Sequence, residues 1–211
     1  MPRYELLSSN EDDTLAIGRE VGALLPNGAF VALTGDHHAG KTLLVRGIAQ
    51  GLDIPGWAAL RAPGRTLMCT YHGGRCTLHH IDFYHINQAP EVPERIEDAI
   101  ADPETICVVE WADVLRDVCP DHELIEIEMR VSRDNKRLDV IEDRHDLLPG
   151  LAARLARWLK PSPLEGESWL IAPEAAGVIP VGEKRSGVDR RRVNLALIWG
   201  DRRRGDRRRQ G

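Results

Sequence analysis

The chain has 211 residues, of which 42% are hydrophobic and 29% charged, a balance that supplies a packed core and excludes disordered, collagen-like and disulfide-scaffold classes. No run approaches the roughly 18 to 20 apolar residues that cross a bilayer, the start MPRYELLSSNEDD has no signal-peptide profile, and the cysteines at 69, 76, 107 and 119 are too scattered for a disulfide framework, so a cytoplasmic protein with reduced thiols and no membrane association is expected. The net charge of -5 hides a division: residues 183–211 hold 11 basic against 4 acidic residues and the rest 17 against 29, so an acidic body carries a basic tail.

In chain order, Tyr4 to Leu7 reads as a short strand, and SNEDDTLAIGREVGALL places Leu15, Val21 and Leu24 or Leu25 at helical spacing behind capping residues. The run Ala29 to Thr34 is apolar without alternation, as in a strand buried on both faces, and leads through GDHHAGKT into the helical pattern TLLVRGIAQGL. Two β-like runs flank Gly73-Gly74, a pair suited to a two-residue hairpin turn, and the second ends at Asp82. Residues 91–101 read as a helix with Pro93 near its start, and Thr105 to Val109 is a second doubly buried strand ending in Glu110-Trp111. ELIEIEMRV from Glu123 alternates like a one-face-exposed strand and pairs through the turn RDNK with a strand from Arg137. Leu147 to Leu159 closes the domain as a helix.

After Lys160 the composition turns to Pro, Gly, Ser and Glu, and DRRR recurs from Asp189, Asp201 and Asp206. The expected organisation is one α/β domain over residues 1–160, with a mostly parallel sheet extended by antiparallel hairpins in a three-layer P-loop NTPase-like fold. Residues 161–211 are expected to form a largely disordered linker and arginine-rich tail, with Val193 to Trp199 as a candidate docking segment. The tail admits two readings, a phosphate-contacting arm for RNA or a solvated extension; the scarcity of aromatics for base stacking favours the second.

The chemistry concentrates in Gly35-Asp36-His37-His38-Ala39-Gly40-Lys41-Thr42, which satisfies G-x-x-x-x-G-K-[ST] between a buried strand and a helix. Backbone amides of such a loop point at phosphate oxygens, and the helix N-terminus adds positive potential. Lys41 is placed to meet the β and γ phosphates, and the Thr42 hydroxyl to ligate Mg2+. The metal also needs a strand-end carboxylate; Glu110 fits, and Asp82 is a second candidate for the metal or the attacking water. The histidines and cysteines around residues 69–85 match no common zinc spacing and alternate between the faces of their strands.

The order of these motifs resembles the bacterial tRNA threonylcarbamoyladenosine biosynthesis ATPase family TsaE (YjeE) over about residues 5–160. The resemblance rests on Glu11 and Thr14-Leu15, GDHHAGKT with Arg46-Gly47, Pro63, Thr66-Leu67, Tyr71, His80-Ile81-Asp82-Phe83-Tyr84, Val109-Glu110-Trp111 and Arg137. It implies an ATPase that assists the two proteins TsaB and TsaD in placing threonylcarbamoyl on tRNA. It further implies that Gly35 to Thr42 bind the nucleotide phosphates, that Thr42 and Glu110 hold Mg2+, that Asp82 is the acid of a switch region, that Trp111 lies beside the site, and that Glu11 and Arg137 line the nucleotide. Lys41, Asp82 and Glu110 are then the expected catalytic set, with ATP and Mg2+ as cofactors and tRNA as a potential partner of the tail.

The chain departs from that family at His37-His38, where Leu-Gly is usual, at Ala62-Pro63-Gly64-Arg65, where Ser-Pro-Thr-aromatic is usual, and at Tyr84-His85, where Tyr-Arg is usual. These changes keep a second reading open, an eroded nucleotide-dependent binding module. A small-molecule kinase is a third, weakened by the lack of an arginine-rich lid.

Overall fold

The computed structural model describes residues 2–85, 94–112, 124–132 and 136–160. Strand β1 (Arg3–Ser8) leads to helix α1 (Glu11–Leu24), followed by β2 (Phe30–Gly35), α2 (Lys41–Gly51), β3 (Met68–Tyr71), β4 (Thr77–Asp82), α3 (Glu94–Ala101), β5 (Thr105–Glu110), β6 (Leu124–Val131), β7 (Arg137–Asp143) and the single turn α4 (Leu151–Arg154). The strands form one sheet in the order β1-β7-β6-β2-β5-β4-β3. β4, β5, β2 and β6 run parallel, and antiparallel pairs close both sides, β3 on β4 and β6-β7-β1. No helix among the described residues is long and apolar enough to cross a membrane.

The apolar runs explain this placement. β2 and β5 occupy the centre, where neither face meets water; every residue of β5 is buried. On one face Ile17 and Val21 of α1 and Leu44, Val45 and Ile48 of α2 pack against Val31, Leu33, Val108, Ile127 and Ile141. On the other, Ile96 and Ile100 of α3 cover Phe30, Ala32, Ile81 and Val109. Two helical layers enclosing a sheet give the three-layer architecture expected from the alternation of strands and helices.

α1 starts where the sequence marks it. The Asn10 side chain accepts from the Asp13 amide at 2.8 Å, and Asp13 in turn accepts from the Ser9 amide at 3.0 Å, satisfying amides that have no partner inside the helix. Its buried face runs through Thr14, Ile17, Gly18, Val21 and Gly22, one residue out of phase with the expected Leu15, which is only half-buried. The reason is the neighbouring helix. A Cβ on Gly18 would lie 2.5 Å from the Leu44 carbonyl oxygen, and one on Gly47 would lie 2.3 Å from that of Leu15. The helices cross backbone to backbone, and only a glycine face permits that approach.

Two further expectations need correction. Gly73-Gly74 does not form a two-residue turn: β3 and β4 pair only up to Tyr71 and Leu78, and the longer connection bends onto the end of α2, where Arg75 donates its amide to Leu52 O at 3.0 Å. A Cβ on Gly74 would sit 2.2 Å from that same oxygen. The last helix is one turn rather than three. Leu148, Leu151, Leu155 and Trp158 are buried as the pattern demands, but after Arg154 the chain turns to cover β1, with Leu7 N donating to Trp158 O and Lys160 N to Glu5 O, both at 2.8 Å. Hydrogen-bonding groups on an open sheet edge outcompete further helix turns. Pro93, Glu123, most of the RDNK turn, Cys119 and the whole of 161–211, with Val193 to Trp199 and the DRRR tract, lie outside the described residues.

Candidate functional site

The loop between β2 and α2 takes its shape from two left-handed residues, His38 at φ 62° and Gly40 at φ 101°. Histidine is among the side chains that enter this region more readily than most, so His38 carries the conformation that a glycine would otherwise supply. Arg137 of β7 reaches across 98 residues to donate Nε to the Ala39 carbonyl at 2.9 Å, and the Ala39 amide donates to Asp36 O at 3.2 Å. The loop is thereby folded around its own backbone, with Ala39 fully buried. Gly40 begins α2 without a side-chain cap, and the N-terminus of this 11-residue helix faces the same cleft, a site suited to anions.

Lys41 is 5% exposed. Its Nζ donates to the carbonyls of Gly35 at 3.0 Å and Asp36 at 2.7 Å and lies 4.0 Å from the centre of the Trp111 ring. Trp111 itself has φ 59°, a conformation uncommon for a bulky residue, which turns its indole back over the loop. Tyr84 and His37 stand around it, at 5.3 and 6.0 Å between ring centres, with His37 and Tyr84 5.1 Å apart.

The acidic floor comes from the parallel pairing of β4 with β5, whose register sets Asp82 opposite Glu110. Both are buried, at 6% and 4% exposure. Glu110 Oε1 accepts from Thr42 Oγ1 at 2.8 Å, and His80 Nε2 lies 2.9 Å from the same oxygen. Asp82 Oδ1 accepts from the Tyr84 amide at 2.9 Å. Burial pushes the Asp82 carboxyl above the ordinary aspartate range and the Glu110 charge adds to the rise, while the Tyr84 amide opposes it.

A cleft of about 470 Å3 joins these groups and is lined by Glu11, His37, His38, Ala39, Gly40, Lys41, Thr42, Asp82, Glu110, Trp111 and Arg137 of the expected site, with Leu43, Ala62, Gly64, Tyr84 and His85 besides. Its size is that of a small-molecule site. Gly35 and Asp36 do not line it; they hold the Lys41 ammonium through their carbonyls. Arg65 is exposed and not among the lining residues, so the cation of the switch-like segment lies away from the cleft. Tyr84, His85 and His80 carry no individual role in the sequence reading, although H-x-D-x-Y marks the place of His80 and Tyr84; what each touches depends on the sheet register.

The Thr42 hydroxyl and Glu110 carboxylate are hard oxygen donors, and among the described residues no group of three or more His, Cys, Asp or Glu side chains is arranged to hold a metal ion. That donor set fits Mg2+, which is bound through one or two protein oxygens with phosphate and water completing its shell.

Comparison with known proteins points in one direction. The family described as "Threonylcarbamoyl adenosine biosynthesis protein TsaE" matches residues 8–138. A protein of Treponema pallidum is 34% identical over 131 residues, covering 62% of this chain and 94% of its own length, and one of Aquifex aeolicus is 32% identical over 133 residues, covering 63% and 91%. Both carry the name tRNA threonylcarbamoyladenosine biosynthesis protein TsaE. Among solved structures, YdiB of Bacillus subtilis superposes with a TM-score of 0.58 at 23% identity, over 74% of this chain and 95% of that one. That likeness shows a shared P-loop NTPase-like fold.

Proposed function

Because the chain belongs to the TsaE family and so to threonylcarbamoyladenosine biosynthesis in tRNA, we propose that it is a Mg2+-dependent ATPase whose nucleotide cycle supports the TsaB–TsaD transferase. The observation that carries this reading is the bond between Thr42 and Glu110 at the mouth of the P-loop: the hydroxyl and the carboxylate a phosphate-bound cation requires already stand side by side. Residues 1–160 form the working unit.

In this reading the amides of Gly35 to Thr42 and the start of α2 receive the phosphates. Lys41 exchanges its two carbonyl partners for the β and γ oxygens. Thr42 and Glu110 would hold Mg2+, which would supply positive charge to offset that of the phosphates. Asp82, 6% exposed and opposite Glu110 in the register, orients the water that attacks the γ phosphorus and releases ADP and inorganic phosphate. Glu11 and Arg137 flank the nucleotide, His37 and His38 contribute loop backbone, and Trp111 closes over Lys41. The segment 64–82, which contributes both Gly64 and Asp82 to the cleft, relays nucleotide state to the partner proteins.

One observation favours a second reading, an eroded module that binds ATP without turnover. Ala62 and Gly64, where family members carry hydroxyls, line the cleft with no side-chain donor to offer. ATP binding and phosphate release by the full chain, beside Lys41→Ala and Glu110→Ala and with or without TsaB–TsaD, separate the cases. Release that rises with partners and disappears in both variants supports the ATPase. Binding without release under all conditions supports the module. Absence of ATP binding overturns both.

A further inference from the structure

We propose that His80 is a positioning residue for Glu110, its Nε2–H fixing one carboxylate oxygen so that the other is presented to the cation. The inference rests on the reading of Glu110 as a metal-holding group and assigns a residue that serves it.

His80 is fully buried, two positions before Asp82 and on the same face of β4, where pairing with β5 sets it opposite Val108. Its Nε2 is 2.9 Å from Glu110 Oε1. Its Nδ1 has no hydrogen-bond partner. These two facts decide the tautomer. A proton on Nδ1 would be stranded and would turn the bare Nε2 lone pair toward a carboxylate oxygen, whereas a proton on Nε2 is used at once. Glu110 Oε1 therefore accepts two bonds, from imidazole and from Thr42 Oγ1.

Two consequences follow for the cleft. Oε1 is saturated and its orientation locked, while Oε2 makes no hydrogen bond among the described residues and belongs to a side chain that lines the cleft. Thr42, committed to donating its proton to Oε1, has its lone pairs left to offer a cation. One buried imidazole thus sets the direction of both oxygen donors, as outer-shell partners do in metal sites. A role in packing alone does not account for it, because an apolar side chain would fill the same space without an orphaned Nδ1.

The test uses the full chain with Mn2+ as the probe and ADP present, reading bound Mn2+ by electron paramagnetic resonance, beside ADP affinity in EDTA. His80→Leu removes the donor and is expected to weaken Mn2+ binding about 10- to 100-fold with ADP affinity in EDTA unchanged. His80→Gln places an amide N–H near the Nε2 position and is expected to recover most of that loss. Should His80→Leu not fold, His80→Asn takes its place, since its amide stops near the Nδ1 position and falls short of Glu110. Wild-type Mn2+ affinity in the donor-less variant, or a Gln variant as weak as it, overturns the proposal. Glu110→Gln is the control: if it weakens Mn2+ and loss of the His80 donor does not, only this inference fails; if it leaves Mn2+ affinity unchanged, the reading of Glu110 fails and His80 with it.

Discussion

Replacing Asp139 by asparagine should stabilise the chain at neutral and alkaline pH and have a much smaller effect in mild acid. Asp139 lies on β7 between Leu6 of β1 and Met129 of β6 in the sheet register; it is fully buried, and neither carboxyl oxygen has a hydrogen-bond partner. Burial raises its carboxyl from 3.8 to about 7, with the Arg137 charge opposing the rise. Between those two values the folded protein keeps a proton that the unfolded chain has lost, so stability falls as pH increases. The penalty is absent below about pH 4, grows by about 1.4 kcal/mol per unit, and is complete above about pH 7. A separation of about three units gives a full effect of about 4 kcal/mol. Asparagine keeps the shape and cannot ionise, so the stability difference between variant and wild type should climb over that range and then level off. Urea unfolding followed by far-UV circular dichroism, at steps from about pH 4.5 to about 8.5, measures it. A difference that stays flat, or that falls as pH rises, refutes the account of Asp139 as an unpartnered buried acid.

Gly47→Ala should lower the melting temperature despite the better helix propensity of alanine, because the new Cβ meets the Leu15 carbonyl at 2.3 Å; a loss of about 1–3 kcal/mol is expected, and calorimetry showing no loss would mean that α1 and α2 separate easily. At His38, φ 62°, glycine should leave stability within about 1 kcal/mol of wild type, since relief of strain offsets added chain entropy. Valine at the same position should destabilise by about 1–2 kcal/mol, again read by calorimetry. ATP that draws Lys41 Nζ from its place 4.0 Å over the Trp111 ring should change the indole fluorescence, and Trp111→Phe should abolish that change although four of the five tryptophans remain. Persistence of the signal in the variant would place its source elsewhere.

The strand, loop and helix around Gly35 to Thr42 were legible because their signal is local: a glycine-bounded stretch, an apolar strand before it and a helix after it occupy contiguous residues. The central position of β2 and β5 could be read from their unbroken apolar runs, and Glu110 as a strand-end carboxylate from the run that precedes it. Long-range partnerships could not be read this way. Thr42 meets Glu110 across 68 residues, His80 meets it across 30 and Arg137 reaches Ala39 across 98; the first and last depend on the strand order that seats β2 between β5 and β6, the second on the pairing of β4 with β5. The same order shortened the last helix, because the free edge of β1 offered its backbone to residues 158–160, and it sealed Asp139 from water although an aspartate in a strand reads as exposed. Periodicity and spacing determine which face of an element is apolar and which loop can bend around a phosphate; only tertiary structure decides which faces meet, because a pairing register is a collective minimum of packing and hydrogen bonding over the whole sheet.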